Sequence, residues 1–108
     1  MNRDTHCVAR SKHQGYIDDL AQQLSSNQRV LSVEKNVEYC RGECDLLVRY
    51  LSGKVAYWEI KSNHTEKGYK KTVKQLKRWS KHFKYDKSIG VYWTPQCMKV
   101  MYVNGVRR

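Results

Sequence analysis

Acidic residues are scarce in this chain, and the shortage is the first limit on what the protein can do. Lysine and arginine number 21 against 10 aspartates and glutamates, which gives a formal net charge of +11 at pH 7. The basic residues run from Arg3 to Arg108 and are not confined to one tail or one amphipathic helix. A polyanionic partner such as nucleic acid accounts for this excess, whereas a membrane-surface helix does not.

Long apolar runs and paired metal-binding motifs are also missing. No run approaches the roughly 18 apolar residues of a membrane span, and the N-terminus lacks the apolar segment of a signal peptide. The four cysteines form no C-x₂-C pair, and the four histidines form no H-x-E or H-x₃-H pattern. These absences disfavour a zinc site and histidine-based ribonuclease chemistry. We expect free thiols in a cytoplasm (the host's, if the chain is viral), no membrane association, and one domain over residues 1–108.

The most informative segment is a predicted β-hairpin. Residues 46–50 and 55–60 are rich in aliphatic, β-branched and aromatic side chains, and Leu51-Ser52-Gly53 separates them. A three-residue hairpin loop needs a residue in the left-handed region at its end, and Gly53 suits that position. The sequence therefore predicts two antiparallel strands joined by this loop.

The register of that hairpin decides which charged side chains meet. It pairs Asp45 with Glu59 and Glu43 with Lys61, and opposite residues share one face of a sheet. A two-residue loop would turn Asp45 to the other face. Two carboxylates commonly hold Mg²⁺ against a phosphate, and a lysine beside them orients the attacking water or stabilises developing charge. The pattern predicts a phosphodiester-cleaving site, and the alternative is a hairpin whose charges are only solvated.

Asp45 followed by Glu59-Ile60-Lys61 resembles the motif of the PD-(D/E)xK nuclease superfamily. Within it, the GExDLL pattern at 42–47 and the EIKS at 59–62 are most similar to archaeal Holliday-junction resolvases and related small bacterial proteins. The chain departs from the superfamily's name by having Cys44 where the name has proline.

The resemblance implies a metal-dependent deoxyribonuclease. Mg²⁺ or Mn²⁺ would be held by Asp45, Glu59 and the Ile60 carbonyl, with Glu43 as a further ligand, and Lys61 would position the water. Resolvase-like relatives act as homodimers, so the resemblance also implies a homodimer. The substrate would be DNA, with RNA left open, and the preference for junction, linear or single-stranded substrate is left open as well.

A first helix is predicted over about residues 10–26. Its apolar stripe follows the i, i+3, i+4, i+7 spacing and consists of Ile17, Leu20, Ala21 and Leu24. Asp18 lies at the edge of this stripe, where resolvase-like families carry a helix-one glutamate. We expect Asp18 to join the site, and the alternative is an aspartate that only favours the N-terminal turn of the helix.

A second helix is predicted over about residues 67–84. One edge carries lysines at spacings of three and four with no acidic partner, namely Lys70, Lys74, Lys77 and Lys81. We expect them to contact the nucleic-acid backbone, the alternative being a solvated face. Gln75 to Trp79 resembles the Q-x-x-x-Y motif of RecB-type nucleases, with Trp for Tyr. This resemblance implies that Gln75 positions substrate or water, and we expect Trp79 to contact nucleic acid.

Strands predicted near 29–39, 88–93 and 98–103 complete the order of elements. The αβββαβ core is typical of a restriction-endonuclease-like α/β fold with a central mixed sheet flanked by helices. The leading hypothesis is a metal-dependent nuclease acting on DNA, and whether it is structure-specific, like the resolvases, is left open. The alternative is a basic nucleic-acid-binding module that has this fold without cleavage. The intact acidic pair and Lys61 favour the enzyme, because a binder of polyanions gains nothing from clustered carboxylates.

Overall fold

The computed structural model describes residues 2–39, 42–83 and 87–104, with side chains for 12–38, 42–79, 81 and 87–101. The elements in chain order are α1 (Asn2–Ser25), β1 (Val30–Tyr39), β2 (Gly42–Tyr50), β3 (Val55–Ile60), α2 (Glu66–Phe83), β4 (Ser88–Trp93) and β5 (Met98–Asn104). Each predicted element is present. The first helix begins at Asn2 rather than near residue 10, because no proline or glycine interrupts it before Gly15. Residue 84, the predicted end of the second helix, lies outside the described residues.

A single five-stranded sheet has the order β1-β2-β3-β4-β5. The β3 and β4 strands are parallel, and the other neighbouring pairs are antiparallel. Two adjacent parallel strands need a crossover connection, and α2 supplies it. The α/β class and the mixed sheet flanked by helices are therefore as predicted. In the described part of the chain, neither helix is long and apolar enough to cross a membrane.

The predicted hairpin loop is present. The Tyr50 amide donates to the Lys54 carbonyl at 2.9 Å, the Gly53 amide donates to the Tyr50 carbonyl at 3.0 Å, and Gly53 has φ of 94°. Leu46 lies opposite Trp58 in the predicted register. The ladder stops at that pair, so β2 and β3 diverge just before the charged residues.

Two apolar clusters pack against the sheet, one for each helix. Leu46, Val48 and Ile60 pack with α1, together with Ile17 and other residues of that helix. Leu47, Val55 and Tyr57 pack with α2, through Leu76 and Trp79. Alternation along β3 sends neighbouring residues to opposite clusters, so the two helices lie on opposite faces of the sheet.

The alternation of β2 breaks at Asp45. Cys44 packs in the α2 cluster although Leu46, two residues away, packs in the α1 cluster. Across β1, the paired residues Lys35 and Val37 flank Asn36, which has a left-handed φ of 52°. Asparagine tolerates that conformation better than most residues. This irregularity sets the backbone of Asp45 apart from both neighbouring ladders.

The cysteines agree with the prediction as far as they are described. Cys44 is buried and Cys97 is half-buried, and both are free thiols. Cys7 and Cys40 lie outside the described side chains.

Close packing of α2 on β4 gives a first testable prediction. A Cβ added to Gly90 would lie 2.7 Å from Leu76 Cδ1 and 3.2 Å from Leu76 Cβ. We expect Gly90→Ala to lower the free energy of unfolding by about 1–3 kcal/mol, because α2 must move away from the sheet. The control is Gly15→Ala, where a Cβ meets nothing within 4 Å and where alanine should stabilise the helix by about 0.5–1 kcal/mol. Urea unfolding of both variants measures the difference, and equal stabilities would contradict this packing.

Candidate active site

Asp45 and Glu59 lie together where β2 and β3 diverge. Each residue is only 6% exposed. Asp45 Oδ2 accepts a 2.8 Å hydrogen bond from the Ile60 amide, so a side chain takes the place of a strand carbonyl. Lys61 Nζ lies 3.0 Å from Glu59 Oε2, and the lysine side chain is 38% exposed. The structure thus brings Asp45, Glu59 and Lys61 into one constellation that is open on its lysine side.

The electrostatics of the pair are unfavourable without a proton or a further cation. Burial first, and the Asp45 carboxylate second, raise the pKa of Glu59 to about 7, although Lys61 acts in the opposite direction. Glu59 Oε1 is buried and has no hydrogen-bond partner among the described residues. A buried carboxylate oxygen without a partner, next to a second carboxylate, is the donor chemistry that Mg²⁺ or Mn²⁺ prefers.

His13 of α1 also reaches this site, and the sequence reasoning missed it. Its Nε2 lies 2.8 Å from the Ile60 carbonyl oxygen and 3.6 Å from Asp45 Oδ2. Because a carbonyl only accepts, Nε2 carries the proton in this contact. The contact with Asp45, followed by the bond to Ile60, raises the pKa of His13 against the opposing effect of burial. The signal in the sequence was its position four residues before Ile17, which extends the apolar stripe by one turn.

Asp18 lies elsewhere on the same helix. Its Oδ1 accepts from Lys35 Nζ at 2.9 Å and from Gln14 Nε2 at 3.1 Å, and these two contacts lower the pKa of Asp18. The contacts lead to β1 and not to Asp45. A role for Asp18 in the site stays a prediction.

Glu43 is exposed and pairs with Glu38 of β1. It lines a polar cleft of roughly 380 Å³ together with His13, Gln14 and Asn36. The cleft shares His13 with the carboxylate pair, so Glu43 faces a space beside the site. The direct pairing predicted with Lys61 is not part of the ladder, and a ligand role for Glu43 stays a prediction.

The described groups of His, Cys, Asp and Glu contain no cluster of three or more arranged to hold a metal by themselves. The donors available are the two carboxylates of Asp45 and Glu59 and the Ile60 carbonyl. Mg²⁺ is commonly held by one or two carboxylates, with water and phosphate oxygens completing its coordination. The described residues therefore fit a divalent cation such as Mg²⁺ or Mn²⁺ and do not form a closed structural site.

The prediction that Trp79 contacts nucleic acid is wrong. Its side chain has 0% exposure and packs with Leu76 and Tyr57 in the α2 cluster. The inward stripe of α2 is centred on three fully buried residues, Thr72, Leu76 and Trp79. Because Thr72 is polar and Val73 is apolar, a stripe drawn from apolar residues alone includes Val73 and is turned by about one residue. Gln75 is half-buried beside this stripe, and its role stays a prediction.

The predicted lysine face of α2 is exposed at Lys70, Lys74, Lys77 and Lys81. Toward the beginning of the helix, a shallow groove of roughly 270 Å³ is lined by four lysines, namely Lys67, Lys70, Lys71 and Lys74. Four ammonium groups around one groove repel each other unless an anion lies between them. The groove is therefore a concentrated positive surface on α2.

Comparison with known proteins identifies the fold alone. No family model matches the chain, and no curated protein sequence matches it. Among solved structures the chain is similar to the crystal structure of SSO0001, with a TM-score of 0.57 and 23% sequence identity over 93% of this chain. The present chain covers 54% of that protein's chain. An identity this low shows a shared fold and carries no function across.

The pKa of Glu59 makes stability depend on pH in a defined direction. The folded chain binds this proton more tightly than the unfolded chain. The stabilising contribution is therefore greatest below the ordinary pKa of 4.5 and is lost as pH rises from there to about 7. Without divalent metal, we expect Glu59→Gln to be more stable than wild type at pH 8 by the order of 1–3 kcal/mol. At pH 4 the two should be similar.

Urea unfolding in EDTA at both pH values measures this difference. The control is Glu38→Gln, which neutralises an exposed carboxylate on β1. If Glu59→Gln is no more stable than wild type at pH 8, the carboxylate pair is not under the strain described here.

Proposed function

We propose that this protein is a metal-dependent nuclease that hydrolyses phosphodiester bonds of DNA. The observation that carries the proposal is the buried pair Asp45 and Glu59. One Glu59 oxygen has no hydrogen-bond partner in the described part of the chain, and Lys61 Nζ lies 3.0 Å from the other. Purely structural carboxylates are usually exposed or fully paired. The burial of two carboxylates side by side is explained if a divalent cation binds between them.

Mg²⁺ or Mn²⁺, when bound, would lower the pKa of a water molecule and offset charge on the phosphate. Asp45 and Glu59 would hold the ion, together with the Ile60 carbonyl. The Ile60 amide keeps the Asp45 carboxylate aligned through its 2.8 Å hydrogen bond. Lys61 would turn from Glu59 toward the attacking water or the phosphate oxygens, and its partial exposure leaves room for that movement.

His13 lies next to the proposed metal ligands, because its Nε2 donates to the Ile60 carbonyl that would coordinate the ion. A carbonyl oxygen has two lone pairs, so the Ile60 oxygen could accept from Nε2 and still be available to the ion. His13 would thus help to orient that oxygen. A structure-specific, resolvase-like preference and a homodimer remain parts of the proposal that rest on the sequence resemblance.

The second candidate function is a nucleic-acid-binding module without cleavage. The lysine groove of α2 favours it, since a groove of this kind serves binding with or without chemistry. The two functions differ in what they require of Asp45 and Glu59. A module that only binds has no use for buried negative charge beside its polyanionic ligand, so the pair favours the nuclease.

Cleavage assays test the metal ligands directly. We expect Asp45→Asn and Glu59→Gln each to abolish metal-dependent cleavage of plasmid, linear, single-stranded and four-way-junction DNA. Binding of DNA should be retained or become tighter, because the changes remove repulsion and no phosphate contact. Glu38→Gln is the matched control and should cleave normally. Near-normal cleavage by either site variant would refute the assignment.

A thermal-shift measurement gives a readout that is independent of cleavage. We expect Mn²⁺ to raise the Tm of the wild type, since a ligand that binds only the folded state stabilises it by mass action. The increase should disappear in Glu59→Gln and persist in Lys61→Met, which removes the ammonium group but no metal ligand. Loss of the Mn²⁺ effect in Lys61→Met would contradict the role given to Lys61.

The lysine groove should bind the nucleic-acid backbone. We expect Lys70→Gln combined with Lys74→Gln to weaken binding similarly for unrelated DNA sequences, because ammonium groups contact phosphates and not base edges. The slope of log K against log salt should become shallower by up to about 1.8, or roughly 0.9 per lost contact. The control, Lys54→Gln with Lys87→Gln, removes the same charge at the opposite end of β3. Equal losses in both double variants would mean that only net charge matters.

A further inference from the structure

A second polar cluster lies beside the carboxylate pair and is not used by the mechanism above. Glu59 of β3 is the neighbour of Tyr92 in the parallel β4 strand. Neighbours in register leave the sheet on the same face, so the Tyr92 ring lies next to Glu59 on the α2 side. The phenol is buried, and its ring contacts the Tyr69 ring of α2 at 5.1 Å between centroids.

The Tyr92 hydroxyl reaches the loop that follows Lys61. Its oxygen lies 2.9 Å from His64 Nδ1, and the two rings meet edge to face at 5.6 Å. When the phenol donates its proton in this contact, His64 Nδ1 is the acceptor and the ring carries its own proton on Nε2.

The loop backbone is fixed as well as the ring. The His64 amide donates to Gln96 Oε1 at 3.1 Å, which ties the loop to the turn between β4 and β5. A connecting loop of this length is normally mobile. Here two long-range hydrogen bonds hold one histidine in one orientation, and its side chain remains 27% exposed.

The fixed Nε2–H group has no close acceptor among the described residues. The nearest acidic group is Glu66 Oε2 at 3.7 Å, which is beyond hydrogen-bond distance, and the Glu66 side chain is 78% exposed. Two cations also lie around the cluster. Lys99 Nζ lies 5.1 Å from the Tyr69 ring centroid. Burial raises the pKa of Tyr92, and the charge of Lys61 lies close enough to act on that pKa in the opposite direction. An oriented donor among cations is suited to an anion.

We propose that His64 binds a backbone phosphate of the nucleic acid through Nε2–H, next to the phosphate at Asp45 and Glu59. Tyr92 and Gln96 are positioning residues that hold the imidazole for this contact. The inference deepens the proposed function, since it places a second phosphate of the same strand on the α2 face. It continues the positive surface from Lys61 toward the lysine groove of α2.

A purely structural role would be different. In that case His64 serves only to accept the proton of the buried Tyr92 hydroxyl. His64→Asn separates the two roles, because the asparagine amide offers an oxygen near the place of Nδ1 but no donor at the place of Nε2. Glu66→Gln separates a third role, an ion pair between His64 and Glu66. Loss of that carboxylate should tighten phosphate binding rather than weaken it.

The experiment measures the Kd of duplex DNA by anisotropy in EDTA, so that it does not depend on cleavage. We expect His64→Asn and Tyr92→Phe each to weaken binding by about five- to twenty-fold, in line with one lost charge-assisted hydrogen bond. The double variant should lose no more than His64→Asn alone, because Tyr92 acts through His64. Tyr69→Phe, the matched loss of a neighbouring hydroxyl, should stay within about twofold of wild type.

Duplexes that carry a single neutral methylphosphonate identify the contacted phosphate. One position should cost the wild type affinity and cost His64→Asn none. Unchanged binding in His64→Asn, with folding verified by its Tm, overturns the inference even if the protein cleaves DNA. A His64 effect in a protein that never cleaves supports the inference and removes the nuclease proposal, so the two failures are distinguishable.

Discussion

Where β2 and β3 diverge, the structure depends on one constraint. Two carboxylates that repel each other, Asp45 and Glu59, are buried side by side. The Ile60 amide and Lys61 offset part of that repulsion, and one oxygen of Glu59 receives no hydrogen bond from the residues that the structure describes. The local energy of the pair is unfavourable until a proton or a cation joins it. The two apolar clusters on either face of the sheet must therefore supply the stability that holds Asp45 and Glu59 in place.

The geometry of the strands explains why several charged and polar side chains meet where β2 and β3 diverge. The ladder between β2 and β3 ends at Leu46 and Trp58, while the parallel ladder of β3 with β4 continues to Ile60 and Trp93. One side of β3 is therefore open and the other remains paired. Asp45 enters from the open side and Tyr92 from the paired side. Both faces of the sheet contribute residues to this region, since α1 brings His13 to its edge and α2 carries the lysine groove.

The hairpin was predictable because its determinants are local. The three-residue loop ending at Gly53 fixes the register, and side-chain alternation along a strand then fixes which residues share a face. The contact of His13 with Ile60 joins residues 47 apart and depends on how α1 lies across the sheet. Trp79 was misplaced for a related reason. Sequence periodicity defines a helical stripe to within about one residue, and packing of the helix on the sheet decides the remainder.

The separation between chemistry and binding in this fold has a physical basis. The groups proposed for catalysis are buried at strand ends, where fixed backbone and low dielectric strengthen each interaction. The lysines proposed for binding are exposed along one helix, where each acts as an independent, salt-screened charge. His64 lies between these regimes, since its side chain is partly exposed but held by the buried Tyr92. A nuclease and a non-cleaving module on this scaffold would thus share α2 and differ only at Asp45, Glu59 and Lys61.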